Sequence, residues 1–196
     1  MQTKSLKRLC LLAIALLSTG LNAGEDATPA EPGLRVGERA PNFTLKDQNE
    51  KEVSLESLLK KGPVALVFYR SASWCLYCEI QLIKLQRNLK QIEASGGQLI
   101  GISYDSTDIL KRFADRKDIT IQLLSDAGSK TIDAYNVRDK NAVPEKQGVA
   151  VHATIVVDQA GIVRSKMIDI IYDERSDINK LAKALKAART SDGGTK

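Results

Sequence analysis

Two cysteines separated by two residues, Cys75 and Cys78, are the residues of this chain whose type and spacing point most directly to chemistry. Trp74 comes just before the first of them, and Tyr77 lies between the two. Two thiols at this spacing can form a redox-active disulfide, supply half of a zinc site or reduce a peroxide. A haem attachment site is excluded, because Glu79 stands where such a site needs a histidine.

The third cysteine, Cys10, lies in a segment that we expect to be removed. Three cations precede an unbroken apolar run from Leu9 to Leu17, and a short exit of mostly small residues follows. This is the layout of a secretory signal peptide, and the run is too short to span a membrane, which takes roughly 20 apolar residues. We therefore predict a signal peptide over residues 1–23 and a periplasmic or secreted protein, with an uncleaved N-terminal anchor as the alternative.

Loss of this segment changes what the composition implies. The formal net charge of +5 falls to about +2, because the segment carries three cations and no anion. Such a balance gives no electrostatic reason to expect nucleic acid as a partner. Cys75 and Cys78 become the only cysteines beside a single histidine, His152. Since zinc needs four ligands, a zinc site is not expected, and no bound cofactor is required.

The rest of the sequence predicts a single α/β domain with a central mixed sheet flanked by helices. Apolar runs alternate with amphipathic segments, and the last two runs flank the hairpin turn DQAG. The run from Pro63 to Arg70 is typical of a central strand that is buried on both faces. We predict a flexible leader over residues 24–37, the domain over residues 38–189 and a disordered tail over residues 190–196. The pattern does not give the order of the strands.

The position of the cysteine pair matters more than its spacing. A helix is predicted to begin near Cys75, to bury Leu82 and Leu85, and to continue as far as the glycines at 96–97. The first-turn N–H groups and the positive end of the helix dipole favour a thiolate on Cys75. Cys78 lies one turn further on, within disulfide reach. This arrangement predicts thiol–disulfide exchange, in which Cys75 attacks a substrate disulfide and Cys78 resolves the mixed disulfide.

The stretch VALVFYRSASWCLYC resembles the active-site strand and loop of thioredoxin-fold oxidoreductases, and of the AhpC/TSA (redoxin) group in particular. Three further stretches resemble the same group: APNFTLKDQNEKEVSLESL, GISYDSTDILKRFADRKDITIQLLSD and HATIVVDQAGIVR. The resemblance implies a thioredoxin-like fold with an N-terminal β-hairpin extension. It also implies partners that are protein or small-molecule thiols, disulfides or peroxides, and a periplasmic or membrane-linked thiol as electron donor.

One departure from the group concerns peroxide chemistry. Peroxiredoxins carry the pattern Pro-x-x-x-Thr-x-x-Cys, in which the threonine helps to bind peroxide. Counted back from Cys75, the two slots hold Phe68 and Ala72, and counted back from Cys78 they hold Ser71 and Cys75. Neither count fits the pattern. We therefore expect a disulfide oxidoreductase first and keep a thiol-dependent, peroxiredoxin-like peroxidase as the alternative.

A second departure concerns His152. The resemblance places it where thioredoxin-like proteins carry a cis-proline and peroxiredoxins an arginine, which implies a position beside Cys75 and Cys78. There it would stabilise a thiolate, shuttle a proton, or join the cysteines in holding Cu(I); a histidine packed at a strand end without a role is the alternative. The copper option gives a second alternative function, a copper chaperone with a ligand set similar to that of Sco-type proteins.

Three further residues are expected around the pair. Trp74 would shield the cysteines on one side and present an apolar surface to a partner. Arg70 would add positive potential, with a solvated strand-end cation as the alternative. Tyr77 is expected at the rim of the site or in packing.

Overall fold

The computed structural model describes residues 31–168 and 175–190. The predicted signal peptide, the first part of the predicted leader up to residue 30 and the tail from residue 191 lie outside the described residues. Within them, no helix has the length and the apolar character needed to cross a membrane.

Part of the predicted leader, residues 31–37, is among the described residues. The backbone N–H of Gly33 donates to the carbonyl of Asn136 at 2.7 Å, and that of Gly37 donates to Val163 at 2.8 Å. Contacts with the domain therefore begin before residue 38.

In the part of the chain that the structure describes, seven strands form a mixed sheet in the order β2-β1-β5-β4-β3-β6-β7. The strands are β1 (Thr44–Asp47), β2 (Glu52–Ser54), β3 (Val64–Phe68), β4 (Gln98–Ser103), β5 (Gln122–Ser125), β6 (Ala153–Val157) and β7 (Val163–Ile168). Strands β3, β4 and β5 run parallel, and the two hairpins β1–β2 and β6–β7 add antiparallel edges. This confirms the predicted α/β class with a mixed sheet and an N-terminal hairpin.

Six α-helices of the described residues cover the two faces of the sheet. They are α1 (Leu55–Leu59), α2 (Leu76–Arg87), α3 (Leu89–Ala94), α4 (Thr107–Lys117), α5 (Lys130–Ala134) and α6 (Arg175–Thr190), and a 3-10 turn spans Pro144–Lys146. One continuous helix was expected from the cysteines to the glycines at 96–97, and this expectation is wrong at Asn88. There the backbone leaves helical geometry (φ −107°, ψ 9°), and the Asn88 side chain donates to the carbonyl of Lys84 at 2.8 Å. An asparagine can satisfy a helix carbonyl in this way, so it ends α2 before α3 begins.

Alternate side chains of β3 supply two cores, one on each face of the sheet. Ala65 and Val67 pack with residues of α2, α3, α4 and α6, whereas Val64, Leu66 and Phe68 pack with residues of α1 and α5. All five residues of β3 are fully buried. A strand that is covered on both faces reads as an unbroken apolar run, which is the pattern the sequence carries here.

The strand registers bring three chain segments together at the carboxyl end of β3. Phe68 lies opposite Ile102 of β4 in the parallel pairing and opposite Ala153 of β6 in the antiparallel pairing. The loop that leads from β3 to the cysteines therefore meets the residues that follow β4 and those that precede β6.

Candidate active site

The loop between β3 and α2 is held in place by a buried carboxylate, that of Asp105. The hydroxyl of Ser71 donates to it at 2.8 Å, the backbone N–H of Ala72 at 2.7 Å and the hydroxyl of Ser103 at 2.8 Å. The Ser71 hydroxyl in turn accepts from the backbone N–H of Ser73 at 2.9 Å. Because hydrogen bonds to an ionised acceptor are the stronger class, this network fixes the chain immediately before the cysteines.

Cys75 and Cys78 form a disulfide at the start of α2, with their Cα atoms 5.2 Å apart. Cys75 is the N-cap residue of the helix, and its sulfur accepts the backbone N–H of Cys78 at 3.2 Å. Cys75 is 9 % exposed and Cys78 is completely buried. The two sulfurs thus differ in access, and an incoming reactant meets Cys75 first.

His152 lies beside both sulfurs. Its Nε2 atom is 3.2 Å from the sulfur of Cys78 and 4.0 Å from that of Cys75. The residue comes directly before β6, and the pairing of Ala153 with Phe68 places it at the end of β3. The structure therefore brings the histidine to the cysteine pair from 74 positions further along the chain.

Trp74 is partly buried against the core on one side of the pair. Its indole N–H donates to the hydroxyl of Tyr104 at 2.9 Å. Two cations lie over its ring, with the Lys146 ammonium 3.9 Å and the Arg70 guanidinium carbon 5.3 Å from the ring centroid. Cations over an aromatic face are held by the ring quadrupole, so the indole is fixed from several directions.

Arg70 contacts the site through Trp74, and its second partner is Asp139, at 3.4 Å. Tyr77 projects outward from the first turn of α2 and is 63 % exposed, next to Leu76 at 67 %. Cys75 opens into a shallow depression of about 180 Å³, which Trp74 and Leu76 also line. A depression of this size admits a sulfur of another protein or a small peroxide.

Cys75, Cys78 and His152 together offer a ligand set for a soft metal ion. The two sulfurs and an imidazole nitrogen lie within 4.8 Å of one another. In the structure the two sulfurs are bonded to each other, and this state accounts for the arrangement without an ion. The copper hypothesis concerns the reduced protein and stays a prediction.

Sequence reasoning missed Asp105 and assigned Tyr104 only to packing or to the rim of the site. Both residues stand in the ISYDS stretch, which otherwise served to support the resemblance. A polar cluster directly after a buried parallel strand was the available signal, because loops at the carboxyl ends of such strands carry binding and catalytic groups.

Comparison with known proteins agrees with the fold. The profile of the AhpC/TSA family matches residues 36–166. Peroxiredoxin Q of Arabidopsis thaliana chloroplasts is 35 % identical over 161 residues, which cover 79 % of this chain and 68 % of that one. Peroxiredoxin Bcp of Escherichia coli (strain K12) is 25 % identical over 146 residues, which cover 74 % of this chain and 92 % of that one. The crystal structure of peroxidoxin BcpB from Mycobacterium tuberculosis superimposes with a TM-score of 0.69 at 24 % identity, over 79 % of this chain and 97 % of that one.

Proposed function

The chain belongs to the AhpC/TSA family, and from that premise we propose that it is an exported enzyme that exchanges disulfides through Cys75 and Cys78. As a member of this family it is an oxidoreductase that acts on thiol groups. The single observation that carries the finer assignment is the disulfide itself, which joins Cys75, 9 % exposed at a helix N-terminus, to the completely buried Cys78 one turn further on.

The reaction follows from this asymmetry. In the reduced protein, the Cys75 thiolate attacks a substrate disulfide, so that a Cys75–substrate bond forms and one substrate thiolate leaves. Cys78 then attacks the Cys75 sulfur, the second substrate thiolate leaves, and the Cys75–Cys78 disulfide remains. A dithiol donor returns the pair to the reduced state by the same exchange in reverse.

The surface around Cys75 supports protein substrates. Leu76 and Tyr77 are exposed beside the accessible sulfur, and Ile80 lies one turn further along α2 with 37 % of its surface exposed. Exposed apolar side chains at spacings of three and four residues form one surface on a helix. A protein partner that covers these side chains would bring its own sulfur to Cys75.

A peroxidase is the second candidate, and the relatives favour it, since peroxiredoxins are among the most similar proteins. The same pair would serve: the Cys75 thiolate attacks one peroxide oxygen, the O–O bond breaks and the other oxygen leaves as water or an alcohol. Cys78 then condenses with the sulfenic acid on Cys75 to give the disulfide and water. The weaker part of this candidate is substrate binding, because the slots for the peroxide-binding threonine hold Ala72 and Cys75.

Export is proposed on the sequence of residues 1–23, and a periplasmic or membrane-linked thiol donor follows from it. The test is the mass of the protein that accumulates outside the cytoplasm when the full chain is expressed in a Gram-negative host. A mature chain that begins at Gly24 is expected, and a full-length chain in the cytoplasm would contradict the proposal.

One experiment separates the two activities. The reduced protein is given either insulin, as a disulfide substrate, or hydrogen peroxide, and loss of its thiols is followed over time. Faster oxidation by insulin disulfides is expected for the proposed function. Rapid consumption of peroxide with intact insulin would establish the peroxidase instead. Cys75→Ser is the matched control and should be inert in both arms.

A further inference from the structure

The two cysteines differ in how a proton can leave them. Cys75 has the N-cap position, where its sulfur accepts the N–H of Cys78, and it touches solvent, which can take its proton. Cys78 is completely buried against the core. Since burial in apolar surroundings disfavours the charged form of a thiol, Cys78 needs a proton acceptor within the protein before it can attack.

Three titratable groups near the pair are poorly suited to this task. Both ion-pair partners of Glu79 come from α4: its carboxylate lies 2.5 Å from Lys117 and 3.9 Å from Arg116. Burial raises the pKa of the Tyr69 phenol, so this group keeps its own proton. The carboxylate of Asp105 accepts three hydrogen bonds from the loop and from Ser103.

His152 meets the requirement by position. Its Nε2 atom is 0.8 Å closer to the Cys78 sulfur than to the Cys75 sulfur, at 3.2 Å against 4.0 Å. The shorter distance is within the range for a hydrogen bond to sulfur. The imidazole is also the one side chain whose ordinary pKa allows it to take up and return a proton near neutral pH.

We propose that His152 is the catalytic base for the buried cysteine: it takes the proton of Cys78 when Cys78 resolves the intermediate formed on Cys75. The Cys78 S–H bond breaks, and the proton moves to Nε2 of His152. The thiolate then attacks the Cys75 sulfur, and the bond between Cys75 and the substrate sulfur breaks. The leaving thiolate receives the proton from the imidazolium, so that charge and protons balance and the histidine is restored.

The inference rests on the proposed function, because it assigns His152 a role in the second step of disulfide exchange. The experiment therefore measures the two steps separately, with an aromatic disulfide that releases one coloured thiol in each step. The reduced wild-type protein is expected to release two equivalents in two phases. His152→Ala should slow the second phase on the order of a hundredfold, the lower range for loss of a general base, and leave the first within about threefold.

Three comparisons make the result specific. His152→Gln keeps a polar side chain that cannot take up a proton, so it should show the same slow second phase, and it replaces the alanine variant if that one does not fold. Added imidazole should accelerate the second phase of His152→Ala and have no effect on the wild type. Val151→Ala is the matched control, since this neighbour packs in the core on the other face of the sheet, and both of its phases should stay within about twofold of the wild type.

The outcomes that overturn the proposal are also distinct. Equal slowing of both phases would assign His152 to Cys75 or to the fold, and an unchanged second phase would remove it from the reaction. A wild-type protein that releases a single equivalent would contradict the pairing of the cysteines, and the role of His152 with it. If the wild type leaves insulin intact but His152→Ala still slows the second phase alone, exchange with protein disulfides is refuted as the function and the role of His152 is supported.

Discussion

Two aspartates, Asp105 and Asp158, lie buried at opposite ends of the sheet and hold the chain in similar ways. Asp105 follows β4 at the end where β3 finishes, and it binds the loop that leads to the cysteines. Asp158 follows β6 at the end where β3 begins; its carboxylate accepts from the backbone N–H of Ile162 at 2.8 Å and from the Arg164 guanidinium at 2.5 Å. A buried carboxylate that accepts chain N–H groups therefore stabilises a hairpin at one end of the sheet and orders a reactive loop at the other.

The largest effect is expected when the reactive cysteine is replaced at the end of the sheet where Asp105 lies. Cys75→Ser should lower turnover by roughly a thousandfold or more, as the loss of a nucleophile does. The variant should remain folded. Cys78→Ser should still form the covalent adduct with substrate, because the first step needs only Cys75. The insulin assay measures the first expectation, and mass spectrometry of the trapped adduct measures the second. An adduct on Cys78 in the Cys75→Ser variant would reverse the roles of the two cysteines.

The next test compares the two carboxylates directly. Asp105→Ala and Asp158→Ala should each lower the free energy of unfolding by roughly 3 kcal/mol, because each leaves buried donors without an acceptor. Urea unfolding of the oxidised proteins measures this. Activity at a temperature where both variants are folded should fall for Asp105→Ala alone, since only that change releases the loop before Cys75. Equal losses of activity would show that the comparison does not hold.

A smaller effect is expected for the bond between Trp74 and Tyr104, which joins the loop to the residues after β4. Trp74→Phe and Tyr104→Phe each remove the 2.9 Å hydrogen bond, and each should cost about 1 kcal/mol of unfolding free energy. Because each variant keeps an aromatic ring in place, the two form a matched pair. The rate at which Cys75 reacts with an alkylating reagent should change by less than about threefold in both, and a larger change in one alone would assign that ring a direct role.

The smallest effect concerns Asp126, a third buried aspartate at the same end of the sheet as Asp105. Burial raises its pKa, and hydrogen bonds from the first backbone N–H groups of α5 oppose the increase. Between the ordinary aspartate pKa and the raised value, the folded protein therefore binds more protons than the unfolded chain. Asp126 thus contributes more to the free energy of unfolding as the pH falls through that window, and less as the pH rises. Urea unfolding at pH 7 and near pH 4 should show the wild type gaining relative to Asp126→Asn at the lower pH, with no loss of activity in the variant at neutral pH. The opposite trend in stability would contradict the raised pKa of Asp126. A loss of activity would show that a position at this end of the sheet is enough to affect the chemistry.

The sequence predicted much of the fold for identifiable reasons. The run from Val64 to Phe68 has no polar residue, and only a strand that is covered on both faces tolerates this. The start of α1 is also set locally, because the Ser54 side chain accepts the N–H of Ser57 three residues on. The break at Asn88 was missed, because the apolar spacing of a helix continues across it and hides a local competition for one carbonyl.

For the active site, the sequence by itself determined the two cysteines, their spacing and their place at the start of a helix. These are properties of neighbouring residues, and the chain cannot arrange them otherwise. The tertiary structure decided on which side of the pair His152 lies and that Asp105 anchors the loop. It also decided that Cys78 is more deeply buried than Cys75. Each depends on the order and register of β4, β3 and β6, and these are set by how apolar faces pack between residues that are distant in the chain.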